Sequence, residues 1–520
     1  MGTEIELKLG LAEGDAARLL EHPLVRTPSG RRPATRRLSS VYFDTPELDL
    51  LHKGVALRVR RSGNRRVQTV KAEADPAAGG GVHARGEWEA AIEGDQPDLT
   101  RIREPRLREL FDGEDGLAGR LRPLFSAEIG RTSRRLRLDD GTGVELALDV
   151  GEIRDGVARL PVCEAELELK AGRPAGLYRL ALRLHQDVPL VIETESKAGR
   201  GYALAAGLAP GPRRAGDVRL APEMSARDAF RAVARDCVAQ ILGSQACALR
   251  GEDPEGVHQM RVGLRRLRSA LGSFRDHLPG DRRRAFNGEL RWLGERLGRV
   301  RDLDVFATET LPGELGQRLD EATRDALTQA AGAARAEAQA ELRRVLRSPR
   351  YTELMLKLLA WIEDGDGTAN ETAAPPIGGA ARDILGRRHR SVARPGRRLH
   401  RLDAAERHEL RKRAKKLRYA AEFFRSLCPD RPHRRYIKAL KGLQEGLGAM
   451  NDAAVARRLL AELAERAGLP ADGVAGDDGG PLPPEPKPAE LKKLWGAFAD
   501  RRPLHKVCGG RSPAGTTAAR

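Results

Sequence analysis

Glu4-Ile5-Glu6-Leu7-Lys8 sets two carboxylates and an ammonium at alternate positions. In a strand successive side chains point to opposite faces. Glu4, Glu6 and Lys8 then share one face, and Ile5, Leu7 and Leu9 the other. Paired acids beside a base suit a divalent cation held against an anionic substrate. The spacing returns in Glu164-Ala165-Glu166-Leu167-Glu168-Leu169-Lys170, with three carboxylates and a lysine on one face. Basic residues alternate in the same way: Arg58 and Arg60 stand opposite Val55, Leu57 and Val59, and Val67, Thr69 and Lys71 share a face. Farther on, Glu145, Ala147 and Asp149 alternate with Val144, Leu146, Leu148 and Val150. Isolated surface charges are normally idle, but these faces carry few of the Ser, Thr and Gln of an ordinary wet face. A sheet closed into a barrel would gather them around a lumen. Opposing charges there are costly unless they pair with one another or bind ions and ligand.

The elements that must carry these residues are strands. About eight alternating segments precede residue 205, separated by short helices near Gly14–His22, Leu107–Leu117 and Leu177–Asp187 and ending in a strand near Val191–Glu195. Residues 206–221 form a Pro/Gly linker, after which the apolar period becomes helical. A chain of 520 residues exceeds one ordinary core. Its formal charge of +18 points to a polyanionic partner: nucleic acid, membrane surface or condensed phosphate. Residues 382–418 alone hold fifteen Arg or Lys against four Asp or Glu. The five cysteines show no Cys-x-x-Cys pair and no disulfide framework, which fits a reducing cytosol. No window has the apolar length of a spanning helix, so no membrane partner is expected. Few aromatics count against binding single-stranded nucleic acid by stacking.

The second half repeats itself at a spacing of 150 residues. His258, Arg261, Arg265 and Arg268 fall on His408, Arg411, Lys415 and Arg418, and Leu297-Gly298 falls on Leu447-Gly448. At about 100° per residue these four positions span about 80° of a helix surface. Met260, Leu264, Leu267, Leu271 and Phe274 lie on another face, as do their duplicates Leu410, Ala414, Leu417, Ala421 and Phe424. Two amphipathic helices would thus each offer a basic ridge, and two ridges about a shared axis would line a groove or channel. A stripe without acids repels itself and suits stability poorly. Asp302, Asp304 and Asp452 are placed to orient the arginines. The histidines have Arg rather than carboxylate or Cys neighbours, which disfavours a metal.

Two resemblances follow. Glu4-x-Glu6-x-Lys8, Tyr42-Phe43-Asp44-Thr45, Leu57-Arg58-Val59-Arg60, Thr69-Val70-Lys71, Glu164-x-Glu166-x-Glu168 and Ser196-Lys197-x-x-Arg200-Gly201-Tyr202 occur in the order seen in the CYTH superfamily of triphosphate tunnel metalloenzymes. His258-x-x-Arg261, Arg301-Asp302-Leu303-Asp304, His408-x-x-Arg411-Lys412 and Lys416-Leu417-Arg418-Tyr419 resemble the CHAD family, named for its conserved histidines on α-helices.

The resemblances imply a multi-domain chain. Residues 1–205 would form an α+β, eight-stranded antiparallel β-barrel tunnel. Residues 222–508 would form an all-α bundle of two pseudo-symmetric four-helix halves, followed by a disordered tail at 509–520. They imply Mg²⁺ or Mn²⁺ at Glu4, Glu6, Asp149, Glu164, Glu166 and Glu168. Triphosphate would lie on Lys8, Arg58, Arg60, Lys71, Arg135, Lys197 and Arg200, and Glu4, Glu6, Lys8 and Lys71 would serve catalysis. In the helical half, His258, Arg261, Arg265, Arg268, Arg301, His408, Arg411, Lys412, Lys415 and Arg418 would bind polyphosphate. Asn451 stands where the first repeat has Arg301, and Ala454 where it has Asp304, so the channel would be lopsided. The expected activity is metal-dependent hydrolysis of inorganic triphosphate in the cytoplasm, at polyphosphate granules, with no specific nucleic-acid partner. The alternatives are a non-catalytic polyphosphate-binding scaffold, or an enzyme acting on thiamine triphosphate or ATP.

Overall fold

The computed structural model describes residues 5–26, 34–73, 85–112, 116–364, 375–469 and 488–508. Glu4 and the tail at 509–520 lie outside them. The chain divides into two compact units: Met1–Pro212 with Gln245–Cys247 and Leu346–Asp366, and Arg213–Ser244 with Ala248–Val345 and Gly367–Arg520.

The first unit is built on an antiparallel sheet of nine strands, one more than the expected eight. They are β1 (Glu6–Gly10), β2 (Thr35–Asp44), β3 (Val55–Ser62), β4 (Arg65–Glu73), β5 (Arg85–Ile92), β6 (Arg122–Arg137), β7 (Gly143–Asp155), β8 (Ala158–Ala171) and β9 (Val191–Ile192), ordered β5-β4-β3-β2-β6-β7-β8-β1-β9. Residues paired directly across a ladder point to the same face, so register decides what the sheet gathers. Glu6 pairs with Glu168 and Lys8 with Glu166 across β1 and β8. Asp149 pairs with Glu164 across β7 and β8, and Arg131 with Asp149 and Arg135 with Glu145 across β6 and β7. Tyr42 joins Phe125 on one side and Arg58 on the other, while Ser40 pairs with Arg60. Lys71 pairs with Glu87 across β4 and β5. The alternating charges therefore share one face. Leu7, Leu9, Leu57, Leu146 and Leu167 are buried on the other. The sheet also curls: the charge of Lys71 on β4 reaches Glu6 on β1, six strands away in the ladder.

Four helices of this unit are Ala16–Glu21 (α1), Pro105–Asp112 (α2), Pro174–Asp187 (α3) and Lys197–Ala206 (α4). A further helix, Pro349–Asp364, packs against α3, and its Asp364 pairs with Arg179. The Tyr42-Phe43-Asp44-Thr45 motif ties the end of β2 down. The buried Asp44 carboxylate accepts the backbone N–H groups of Thr45, Leu50 and Leu51 and the Tyr202 hydroxyl at 2.7–3.0 Å.

In the second unit the repeat is structural. Helix α6 (Pro254–Ser273) recurs 150 residues later as α11 (Ala404–Phe423), and both follow an Asp N-cap, Asp253 or Asp403. Helices α7 (Gly280–Val305) and α12 (Asp430–Arg466) begin 150 residues apart. Further helices are α5 (Ala226–Gly243), α8 (Glu321–Leu346), α10 (Ile377–Gly396) and α13 (Pro488–Ala499), where α9 is the helix Pro349–Asp364 of the first unit. All ten expected core residues on α6, on α11 and at their C-caps are buried. Phe274 and its duplicate Phe424 meet with ring centroids 5.7 Å apart. The repeats diverge after Val305, where residues Phe306–Leu315 kink at Gly313, whereas α12 runs on to Arg466.

The linker is fastened to this unit. The N–H groups of Arg213, Gly216 and Leu220 donate to Ser244 Oγ, Asp236 Oδ1 and Ser426 Oγ at 2.8–3.1 Å. Cys428 and Cys508 form a disulfide. This corrects the expectation of none: the partners are 80 residues apart and meet only when the chain after α13 folds back. Among the described residues no helix is long and apolar enough to cross a membrane.

Candidate active site

Four elements set the acids and bases of the first unit at bonding distance. β7 and β8 supply Asp149, Glu164 and Glu166, whose carboxylate oxygens come within 4.8 Å of one another. β1 supplies Glu6 and Lys8, and Lys8 Nζ donates to Glu6 Oε1 at 2.5 Å and to Glu166 Oε1 at 3.0 Å. Helix α4 supplies Lys197 and Arg200. Its N-cap is Ser196, whose Oγ accepts the Gly199 N–H at 3.0 Å. Gly201 lets α4 lie on β6, since a Cβ there would come within 1.9 Å of the Phe125 ring. Lys197 Nζ then sits 2.7 Å from Asp149 Oδ2 and 2.9 Å from Glu166 Oε1, and it also contacts Glu164. Arg200 pairs with Glu164.

The residue that completes the cluster is Arg131, which the sequence reading passed over. Its Nε and Nη2 grip Asp149 at 2.7 and 2.6 Å, and Nη2 reaches Glu166 Oε2 at 2.5 Å. Arg135, the expected member from β6, is not brought to the cluster. It lies four residues farther along the same face, its side chain 90% exposed and 3.7 Å from Glu145. The signal for Arg131 was its register opposite Asp149, which alternation alone does not fix. Glu168 pairs with Lys170 toward the strand end.

Burial opposes the charge of Glu166, but Lys8, Lys197 and Arg131 outweigh it and hold its carboxyl well below the usual range. Glu6 moves the other way: burial, then the Glu166 charge, raise it despite Lys8. Burial also works against Lys8, yet Glu166 and Glu6 keep it firmly protonated.

The basic side of the face lies on β2–β5. Arg58 is 3.5 Å from the Tyr42 hydroxyl and 3.7 Å from Glu87, which also pairs with Lys71 at 3.1 Å. Arg60 donates to Ser40 Oγ at 3.3 Å, and among the described residues it makes no ion pair. Burial and then Arg58 pull its guanidinium down to about 10. Around Asp149, Glu164, Glu166 and Glu6 stand four cations, Lys8, Arg131, Lys197 and Arg200, so that part is balanced. Arg58, Arg60 and Lys71 are three cations against two acids of the same face, Glu87 and Glu89, the latter accepting the Thr69 hydroxyl at 3.2 Å. The face can therefore accept an anion on its basic side. Its acid side offers only oxygen donors, which fit a hard cation such as Mg²⁺ or Mn²⁺.

In the helical unit His258, Arg261, Arg265, Arg268 and Arg301 are half-buried, as are His408, Arg411, Lys415 and Arg418; Lys412 is exposed. Arg261 Nη1 donates to Gly298 O at 3.0 Å and to Asp302 at 3.1 Å, so Asp302 does orient a stripe arginine. Gly298 and its duplicate Gly448 each lie under a stripe guanidinium, Arg261 or Arg411, 3.3 Å from where a Cβ would stand. Asp304 instead pairs at 2.6 Å with Arg335, off the stripe. The Asp452 side chain lies outside what is described. Lys412 and Arg418 pair with Glu409 and Glu422 on their own helix, and Arg301 lies 3.6 Å from Glu309. Arg265 Nε is buried with no hydrogen-bond partner among the described residues.

Lys416, seen in the sequence only as part of a motif, and Arg388 were not among the expected polyphosphate ligands. Burial and then Arg388 pull the Lys416 ammonium down, with Lys412 and Arg268 adding to it. Burial, Arg275 and Arg387 do the same to Arg388. His258 and His408 are both lowered by burial first, then by Arg301 and Lys412 respectively.

A CYTH domain model matches residues 2–202, and a CHAD domain model matches residues 232–461. The uncharacterized protein Rv2226 of Mycobacterium tuberculosis is 30% identical over 422 residues, covering 74% of this chain and 76% of that protein. The chain thus belongs to the family of proteins that join a CYTH domain to a CHAD domain. An inorganic triphosphatase of Haemophilus influenzae is 29% identical over 168 residues, 32% of this chain and 46% of that protein. The crystal structure of the CHAD domain from the plant Ricinus communis aligns with a TM-score of 0.44 and 33% identity, covering 57% of this chain and 94% of that one.

Proposed function

We infer that the first unit hydrolyses inorganic triphosphate and that the helical unit binds polyphosphate. The observation that carries the reading is the single sheet face that bears both a balanced acid cluster and a basic side, Arg58, Arg60 and Lys71, whose cations outnumber its acids. A triphosphate laid on those three groups and Lys8 would be fixed by charge-assisted hydrogen bonds, and the buried surroundings would strengthen them. Asp149, Glu164 and Glu166, with Glu6, would hold Mg²⁺ or Mn²⁺; Glu4 and Glu168 would extend that set. When bound, such an ion neutralises phosphate charge and polarises the phosphoryl group. Arg131 aligns Asp149 and helps keep Glu166 ionised.

In the helical unit the half-buried stripes and the Arg268, Arg388 and Lys416 group suit a linear polyanion. The relation to a relative that is an inorganic triphosphatase supports the hydrolytic half of the reading. The test is phosphate release by the full chain from inorganic triphosphate, ATP and long-chain polyphosphate, with and without Mg²⁺ or Mn²⁺. Metal-dependent release mainly from triphosphate is expected. Equal release from ATP would redirect the substrate assignment, and no release from any of the three would refute the hydrolytic reading.

A further inference from the structure

Asp149, Glu164 and Glu166 have six carboxylate oxygens, and each contacts a side-chain cation. Arg131 holds both oxygens of Asp149 and Oε2 of Glu166. Arg200 takes Glu164 Oε2, and Lys8 takes Glu166 Oε1. Lys197 Nζ alone of these cations reaches all three acids, at Asp149 Oδ2, Glu164 Oε1 and Glu166 Oε1. These are the carboxylates that cluster closely enough to ligate one ion. A divalent cation ligated by these three acids would stand against the Lys197 ammonium, and because the two like charges repel at that distance they compete for the same oxygens.

The cations differ in how easily they leave. Arg131 is held by a two-pronged fork. Lys8 is pinned between Glu6 and Glu166 on a strand. Lys197, buried against all three acids, is the first residue of α4, and its ammonium is carried at a helix start on a flexible stem with no fixed fork.

We propose that Lys197 is a movable counter-ion: it occupies the acid cluster until a phosphate chain draws its ammonium away, so that metal and triphosphate each favour binding of the other. The proposal rests on the metal-site reading above and adds an order to it. Coupling of this kind is reciprocal. Lys197 acts on the metal through the carboxylates it holds, as a positioning residue.

The experiment measures Mn²⁺ binding to the full chain in the absence of phosphate, by electron paramagnetic resonance of free Mn²⁺. It compares the native protein with Lys197→Met and Glu166→Gln. Lys197→Met is expected to bind Mn²⁺ about tenfold more tightly, the size of an ordinary coupling between two sites, and Glu166→Gln to lose binding. A lysine with only a structural role would not strengthen metal binding when removed. Unchanged or weaker affinity in Lys197→Met, with binding still lost in Glu166→Gln, overturns the counter-ion role and leaves the metal site standing. No Mn²⁺ binding that depends on Glu166 overturns the metal site, and this proposal with it. Should Lys197→Met fail to fold, Lys197→Gln keeps hydrogen-bond donors without the charge, and the same gain is expected of it.

Discussion

The two units handle positive charge in opposite ways. Around Asp149 the sheet unit matches four cations to four carboxylates. On the helical unit, Arg388, Lys412 and Arg268 press on Lys416 against the single acid Glu409, and Arg275 and Arg387 press on Arg388. A matched cluster fixes atoms in place and suits a short anion and an ion of defined size. A repelling stripe is eased by any polyanion along its length, so it suits a polymer whose register is free.

The sharpest way to break this contrast is to remove one guanidinium from each unit. Arg131→Ala leaves Asp149, fully buried, without its fork. Loss of a buried partner costs about 3 kcal/mol, and urea unfolding of the sheet unit should shift accordingly. Arg265→Ala removes a stripe cation whose Nε has no partner among the described residues, and it should move stability by no more than about 0.5 kcal/mol. Equal losses in the two variants would erase the distinction.

Next in size is substrate binding. Arg60→Ala is expected to raise KM for triphosphate about 10-fold to 100-fold, the worth of one charge-assisted contact. Steady-state kinetics reads this, and an unchanged KM would remove Arg60 from the anion site. On the helical side, Lys416→Ala should weaken polyphosphate binding modestly and reduce the slope of log affinity against log salt by about 0.7. Titrations at several salt concentrations would show whether the slope changes at all.

The smallest effect is in pH. His258 and His408 both titrate below their ordinary value of 6.5 in the free protein. A base whose folded value is lowered takes fewer protons folded than unfolded, so stability present above the ordinary value is lost as pH falls below it. A bound phosphate chain reverses the balance and raises both values. Polyphosphate binding should therefore tighten a few-fold between about pH 8 and about pH 6, with proton uptake seen by calorimetry in buffers of different ionisation enthalpy. Flat affinity across that range would place the histidines away from the polymer.

Much of this was legible in the sequence, and the limits are physical. Alternation with period two put Glu6, Lys8, Arg58, Arg60, Lys71, Asp149, Glu164 and Glu166 on charged faces, and register put those faces together. Arg131 escaped because alternation gives a face and not a position along it. Arg131 and Arg135 share that face, and only the pairing of β6 with β7 shows which meets Asp149. Lys197 was legible as a basic residue, but its place among three acids depends on the Ser196 cap and on Gly201 packing against Phe125. The 150-residue repeat was visible because duplication preserves spacing. The Cys428–Cys508 bond was not, because nothing local links partners 80 residues apart.

One variant tests the central claim, that hydrolysis belongs to the matched cluster and polymer binding to the stripes. Glu166→Ala would be assayed for triphosphate turnover and, in the same preparation, for long-chain polyphosphate binding. The account predicts turnover reduced about 10²-fold to 10³-fold with polyphosphate affinity unchanged. Turnover that survives, or polymer binding that falls along with it, would contradict that division.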